Sequence, residues 1–533
     1  MLEIHMQTEL TNLPDDIASL KGLVHNFADE NQRYSNDIRR YEIENKLLRE
    51  QVLLLTARLF GRKTEKLPQV NGAEQTILFD ESPQSEEAPA EETIRVPEHT
   101  RKKTGRKPLP AELPRIEVIH DISPEEKTCG CGCQKDCIGQ EVCEKLDIIP
   151  ARMQVIRNIR LKYACKACEG VDGDGPTVTI APVPEQIIPK GIATPGLLAH
   201  IITAKFVDAL PFYRQEKQFE RLGVDLSRTS MSSWAIQVAV QCQPLMDLLQ
   251  AEILSGPLIN VDETTVQVLG EDQRANTARS YMWVFRGGPP GKPALVYRYH
   301  PTRSGDVARD YLAGYKGFVQ TDGYAGYEFL DRNPDVVHVG CWAHARRKFV
   351  EVTQAAGKHK SGSADMALAY IQKLYAIEKD VRGRELGPSE VQAQRQLRSR
   401  PILDEFKSWL DKRMLETPPK GLLGKAIAYT LGQWKRLERY IDSACLTPDN
   451  NLAENAIRPF VVGRKNWLFS GNPDGAASSA TLYSLIETSK ACGLEPYRYL
   501  RHLFERLPLA YTAEDYKALL PQNLSMATLA PMA

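Results

Sequence analysis

Between residues 13 and 59 apolar positions recur in a strict four-three alternation. One row is Leu13, Leu20, Phe27, Tyr34, Tyr41, Leu48 and Leu55, and the other is Ile17, Val24, Asn31, Ile38, Asn45, Val52 and Leu59. A stripe this narrow, flanked by charged residues, predicts a coiled-coil helix over about 10–66 that self-associates. One long amphipathic helix packed on its own protein is the competing expectation. Asn31 and Asn45 fall on the seam, where buried amides select register and partner number. From 67 to 115 the apolar period vanishes among Pro, Glu and Ser, which predicts a disordered linker.

Apolar runs return with a different spacing after residue 116. The stretch LDIIPARMQVIRNIRLKY is expected to form two strands within a small module, 116–182. Residues 190–254 carry helical periods. Thr194-Pro195 opens one helix, 211–223 forms another, Gly223 turns the chain and Ser227 caps the next. That order is the helix-turn-helix pattern, with a plain helical hairpin as the alternative, and it places Arg228 near the end that would meet DNA. From 257 the chain switches to strand signals: PLINVDETTVQVL, SYMWVFRGG, PALVYRYH, a helix from about 304, then GFVQTDGY. Three strands, a helix and a fourth strand predict an RNase H-like α/β sheet in a catalytic domain spanning 255–492. A helical insertion is expected at about 350–446, and a C-terminal helix with a frayed tail over 493–533. The expected fold class is therefore multidomain α/β.

Composition changes this picture in two places. Lysine plus arginine and aspartate plus glutamate both number 68, so overall charge selects no partner, but the run RKKTGRK at 101–107 is basic. Arg101, Lys102, Lys103, Arg106 and Lys107 are thus candidates for a DNA minor groove. Five of the eleven cysteines crowd into 129–143. With Cys165 and Cys168 they predict a ribbon with one structural zinc ion, held by Cys129, Cys131, Cys165 and Cys168, with Cys133 as the rival in the first knuckle. No apolar run is long enough to span a membrane and no signal sequence is evident, so a cytoplasmic protein is expected.

The candidate chemistry gathers around three carboxylates. Asp262 and Asp322 each end a short apolar run, and Glu454 lies one turn into a helix opened by Pro-Asp-Asn, where Asp449 or Asn450 would cap the free amides. Two strand-end aspartates with a helical glutamate suit two Mg2+ or Mn2+ ions for phosphodiester chemistry. Glu263 is expected to leave the opposite face of its strand. Arg346, Arg347, Lys348, Arg458, Arg464, Lys465 and Trp467 cluster in sequence around these carboxylates as candidate DNA contacts. His344 is expected in a structural or phosphate-contact role, with metal ligation as the alternative.

Taken together, LFGRKTEKL, TGRKPLP, VDET, TDGYAGY, GCWAHARRKF and NNLAENAIRPFVVGRKNWLFSG resemble the insertion-sequence-66 family of DDE transposases, over about residues 30–510. The resemblance implies Asp262, Asp322 and Glu454 as the catalytic triad. It implies cleavage at terminal inverted repeats and joining of the freed ends to target DNA, in a bacterial cytoplasm on nucleoid DNA. Two smaller proteins of the same element would be accessory partners. A DNA-binding regulator with an idle sheet is the alternative function.

Overall fold

The computed structural model describes residues 16–60, 115, 117, 153–164, 178–356 and 362–529. The chain divides into two compact units, residues 1–63 with 156–533, and residues 64–155. Nearly all of the second unit lies outside the described residues. The basic run 101–107 and the cysteines at 129, 131, 133, 165 and 168 lie there or in the undescribed part of the first unit.

A single helix runs from Ile17 to Phe60. Along it Val24, Phe27, Ile38, Leu48 and Val52 of the heptad seam are exposed. Leu54, off the seam, is buried instead, and Leu47 and Glu50 approach Gly421 of the body. The contact with the rest of the unit therefore uses a neighbouring stripe and leaves the seam open.

The expected hairpin differs from what is seen. Residues 153–161 have no regular structure, and strand β1 (Lys162–Ala164) pairs antiparallel with β2 (Val178–Ile180). Alternating apolar residues can signal a strand, but a strand needs a partner edge, and only 162–164 find one among the described residues.

Helices Pro195–Phe206, Phe212–Arg221 and Arg228–Gln241 follow. Thr194 and Ser227 accept amide hydrogen bonds at the first and third N-termini, from Leu197 and Ser230. Gly223 makes its turn at φ +79°, a conformation that favours glycine.

The centre of the unit is a sheet of six strands. β3 (Leu258–Val268), β4 (Arg279–Gly287) and β5 (Ala294–His300) form an antiparallel meander. β6 (Gly317–Gln320) and β7 (Val336–Val339) add in parallel on the other edge of β3, giving the order β5-β4-β3-β6-β7. β8 (Phe469–Ser470) lies beside β3 on that same edge, paired at Gln267 and Val268, whereas β6 pairs at Leu258 to Asn260. Between those two contacts β3 has no partner on this edge, and Asp262 falls in the gap. It lies inside the strand and not at the strand end expected from its apolar run, because Glu263 to Gln267 continue the pairing with β4.

Two hydrophobic clusters hold the unit. One joins the sheet to the helices of 195–255 and to the Asn451–Trp467, Pro473–Ala491 and Pro496–Arg506 helices. The other fills the helices between Trp342 and Leu446 around Trp342, Phe406 and Trp434. The C-terminal stretch is packed, contrary to the frayed end expected from its sequence. Ala513–Ala518 is helical, and Leu519, Leu520 and Leu529 are buried in the first cluster. Its short apolar groups are too sparse to show a period, yet each fills a site on an existing surface.

Candidate active site

Asp262 and Asp322 meet because β3 and β6 are parallel neighbours in register. Asn260 faces Gln320, so each aspartate stands two residues beyond that pair. Asp322 Oδ1 accepts the Tyr324 amide at 2.9 Å, which shapes the turn that ends β6. Asp262 Oδ1 accepts the Glu263 amide at 2.9 Å.

Glu454 is delivered by the Asn451–Trp467 helix, whose N-terminus is bolted to the sheet by three buried amides. Asn260 Nδ2 donates to Gln320 Oε1 at 3.0 Å and to Asn450 Oδ1 at 2.9 Å. Asn450 Nδ2 donates to the Val261 carbonyl at 2.8 Å. Gln320 Nε2 reaches the carbonyls of Gly340 and Thr447. Asn450 stands at the cap position, but its side chain makes no cap bond. Asp449 Oδ1 accepts the Asn451 amide at 3.2 Å. From sequence Asn450 is expected only as a cap, and Asn260 and Gln320 carry no expected role. The signal for this ladder was present as Asn260 and Gln320, polar residues inside apolar strand runs, where burial demands partners.

The electrostatics report a concentration of negative charge. Burial, then Glu263, Glu454 and Asp322, hold the Asp262 carboxyl well above the usual range. Glu454 Oε1 lies 3.7 Å from His344 Nδ1, and Oε2 lies 3.8 Å from an Arg347 guanidinium nitrogen. Neither separation is a hydrogen bond, and Glu454 Oε1 and His344 Nδ1 are buried without one. Ligand atoms of Cys341, His344 and Glu454 all lie within 4.8 Å of one another. The Cys341 sulfur, however, accepts the Asn450 amide at 3.2 Å, and burial pushes its thiol up to about 12. Cys341 thus pins the helix start as a neutral thiol. Two aspartates with a carboxylate oxygen that has no hydrogen-bond partner are a donor set suited to a hard divalent cation.

Glu263 faces a separate network. Arg303 Nε donates to its Oε1 at 2.7 Å, and the Tyr327 hydroxyl donates to Oε2. The Arg303 guanidinium lies 3.8 Å from the Tyr324 ring centroid. Burial is the main influence on the Glu263 carboxyl and raises it.

The other candidates fall at several places. Arg228 is exposed at the start of its helix. Arg346, Arg347 and Lys348 lie in the first turns of the Trp342–Ala356 helix. Arg458 lies within the Asn451–Trp467 helix. Arg464 is turned toward the sheet, where it donates to the Thr264 and Thr265 hydroxyls. Trp467 is half-buried, edge-on to Phe460 with centroids 5.5 Å apart, and Lys465 is exposed. No helix among the described residues is long and apolar enough to cross a membrane.

Comparison with known proteins bears on the same segments. Residues 190–478 match the Transposase IS66 family, and 484–522 match the IS66 C-terminal element. Residues 47–118 match the Transposase C of IS166 homeodomain, and 126–169 match the zinc-finger binding domain of transposase IS66. Two Sinorhizobium fredii proteins, both called uncharacterized, are similar over most of their length. Protein y4jD is 36% identical over 431 residues, covering 78% of this chain and 81% of its own. Protein y4qI is 30% identical over 552 residues, covering 97% and 99%. The matched segments bring DNA in as partner and zinc and a divalent metal in as cofactors. With more than half of its residues inside the first match, and with the sheet that carries Asp262 and Asp322 within it, the chain belongs to the IS66 family of transposases.

Proposed function

We propose that this transposase binds the terminal inverted repeats of its own element, cuts the DNA to leave 3′-hydroxyl ends and joins those ends to target DNA. The observation that carries the proposal is the placement of Asp262 and Asp322 on neighbouring parallel strands, with Glu454 on the helix that Asn450 ties to the sheet and its charge acting on Asp262. The strand order, an antiparallel meander extended by two parallel strands, supports an RNase H-like catalytic domain over 255–492 with a helical insertion at about 350–446. Asp262, Asp322 and Glu454 would hold two Mg2+ or Mn2+ ions. Such ions supply a nucleophilic oxygen at neutral pH and relieve charge on the leaving oxygen.

The chain's own residues do the rest. Asp262 and Asp322 present their carboxylates at the unpaired stretch of β3, where a DNA backbone can approach. Asn260, Gln320 and Asn450 keep the strand ends and the helix from drifting apart. Arg347, beside Glu454 in the free protein, is placed to exchange that partner for a phosphate. The residues assigned to specific binding stand elsewhere in the chain. They are Arg101, Lys102, Lys103, Arg106 and Lys107 in the 67–115 linker and Arg228 in the 190–254 helices. Arg346, Lys348, Arg458, Arg464, Lys465 and Trp467 serve the DNA nearer the carboxylates, Arg464 after leaving its threonine partners. One zinc ion on Cys129 and Cys131, with Cys133 the rival for either place, and on Cys165 and Cys168 closes the 116–182 module. The open heptad seam within 10–66 joins two or more copies, and accessory proteins of the element are further partners. This work takes place in the cytoplasm on the nucleoid.

Cleavage and strand-transfer assays with the element's own ends test the proposal. Asp262→Asn, Asp322→Asn and Glu454→Gln should each abolish both reactions while terminal-repeat binding survives. Glu263→Gln should retain more activity, since its carboxylate is engaged with Arg303 and Tyr327. Normal joining by all three triad variants would overturn the triad, and a parent protein that binds the ends but neither cuts nor joins them would leave a DNA-binding regulator as the better description.

A further inference from the structure

A cavity of about 220 Å3 lies where the Pro195–Phe206 and Arg228–Gln241 helices meet the C-terminal end of the Asn451–Trp467 helix. Its wall is mixed. Phe212, Trp467 and Phe469 supply aromatic surface, Ser232 and Asn472 supply polar groups, and Lys205 supplies a charge. The Lys205 ammonium lies 3.9 Å from the Phe212 ring centroid, and among the described residues no carboxylate pairs with it. Burial lowers this lysine to about 8, a cost that an anionic ligand would offset. A cavity of roughly 150 Å3 accepts benzene, so this one is on the scale of a single nucleobase.

A second, independent feature stands at its rim. Leu468 is held at φ +67° and ψ −53°, a region that is strained for a leucine. Leu468 is 65% exposed and Phe469 is 45% exposed. A strained backbone thus displays two adjoining apolar side chains to water, directly after the basic residues Arg464 and Lys465. Pairing of Phe469 with Gln267 sets Leu468 and Phe469 four to five strand residues beyond Asp262, on the order of 15 Å away. That distance is roughly four to five base steps along a duplex.

We propose that Leu468 and Phe469 form a wedge that enters the DNA base stack, and that the cavity receives the displaced nucleotide, its base against the aromatic wall and its phosphate at Lys205. Apolar wedges that unstack duplex steps, and pockets that hold an extruded base, obey this chemistry. The inference rests on DNA being the partner of this surface. The strain at Leu468 is then a displayed contact and not a flaw in packing.

The test uses the full-length protein and duplexes of the element's end carrying 2-aminopurine singly at each of the first ten positions. Fluorescence should rise severalfold at one or two adjacent positions on binding. Phe469→Ala should remove that rise and weaken binding roughly tenfold. Leu468→Gly separates the wedge from a structural role: glycine relieves the positive φ and should raise the melting temperature while it lowers the fluorescence rise. Lys205→Gln should reduce the salt dependence of binding by about one phosphate contact. Tight binding measured by anisotropy with no fluorescence change at any position would overturn the wedge and leave the transposase reading intact. Absence of binding to the end duplex would overturn both. A Leu468→Gly variant with unchanged fluorescence would also sink the wedge.

Discussion

Asn450→Ala is the most informative single change outside the carboxylates. Its side chain accepts from Asn260 at 2.9 Å and donates to the Val261 carbonyl at 2.8 Å, and the residue is 1% exposed. Each buried hydrogen bond contributes about 0.5–1.5 kcal/mol net, and a buried group left without its partner costs about 1–3 kcal/mol. Asn260 keeps Gln320 as an acceptor, which limits the loss on that side. The expected cost is therefore about 2–4 kcal/mol, read from urea unfolding followed by tryptophan fluorescence. The same change frees the helix start that carries Glu454 one turn later. A misplacement of about 1 Å can cost a hundredfold in rate, so cleavage should fall at least tenfold while end binding stays within about threefold. Asn450→Asp keeps the acceptor but replaces the donor to Val261 with a buried carboxylate near Asp262. It should be at least as damaging as alanine. A cost below about 0.5 kcal/mol together with unchanged cleavage in the alanine variant would refute the ladder as the device that positions Glu454.

Three further outcomes are expected. Ile38→Glu with Leu48→Glu, both exposed seam positions, should reduce the mass measured by light scattering without lowering cleavage-domain stability; an unchanged mass would leave the seam without a partner copy. Cys165→Ser or Cys168→Ser should release about one zinc per chain by metal analysis and loosen that module against proteolysis, and a parent protein containing no zinc would refute the ribbon. His338 is fully buried beside Thr321 and Asp331, and burial, then Arg436, lowers it to about 4. Its folded value lies below the ordinary 6.5, so the unfolded chain binds the extra proton first. Stability should fall as pH drops from about 6.5 to about 4, by about 3 kcal/mol from this residue. The urea midpoint of His338→Gln should therefore fall less over that range than the parent's, and equal slopes would contradict the assignment.

Local pattern determined a good part of this protein. The heptad spacing marked the Ile17–Phe60 helix, Thr194 and Ser227 marked helix starts, and apolar runs ending in aspartate marked the first part of β3 and the end of β6, though β3 runs on to Val268. These signals are legible because helix periods, caps and strand ends act between residues a few positions apart. The tertiary structure decided what lay between distant segments. Asn450 looks like a cap in the sequence, but its partners are Asn260 and Val261, some 190 positions away, and a buried carbonyl outbids the local amide. Glu263 neighbours Asp262, yet its burial against Arg303 and Tyr327 depended on which loop folded over that face. The C-terminal leucines gave no period and found their sites on a surface built by other helices. Periodicity reports which face of an element is apolar, and only the assembled sheet and helices decide what that face meets.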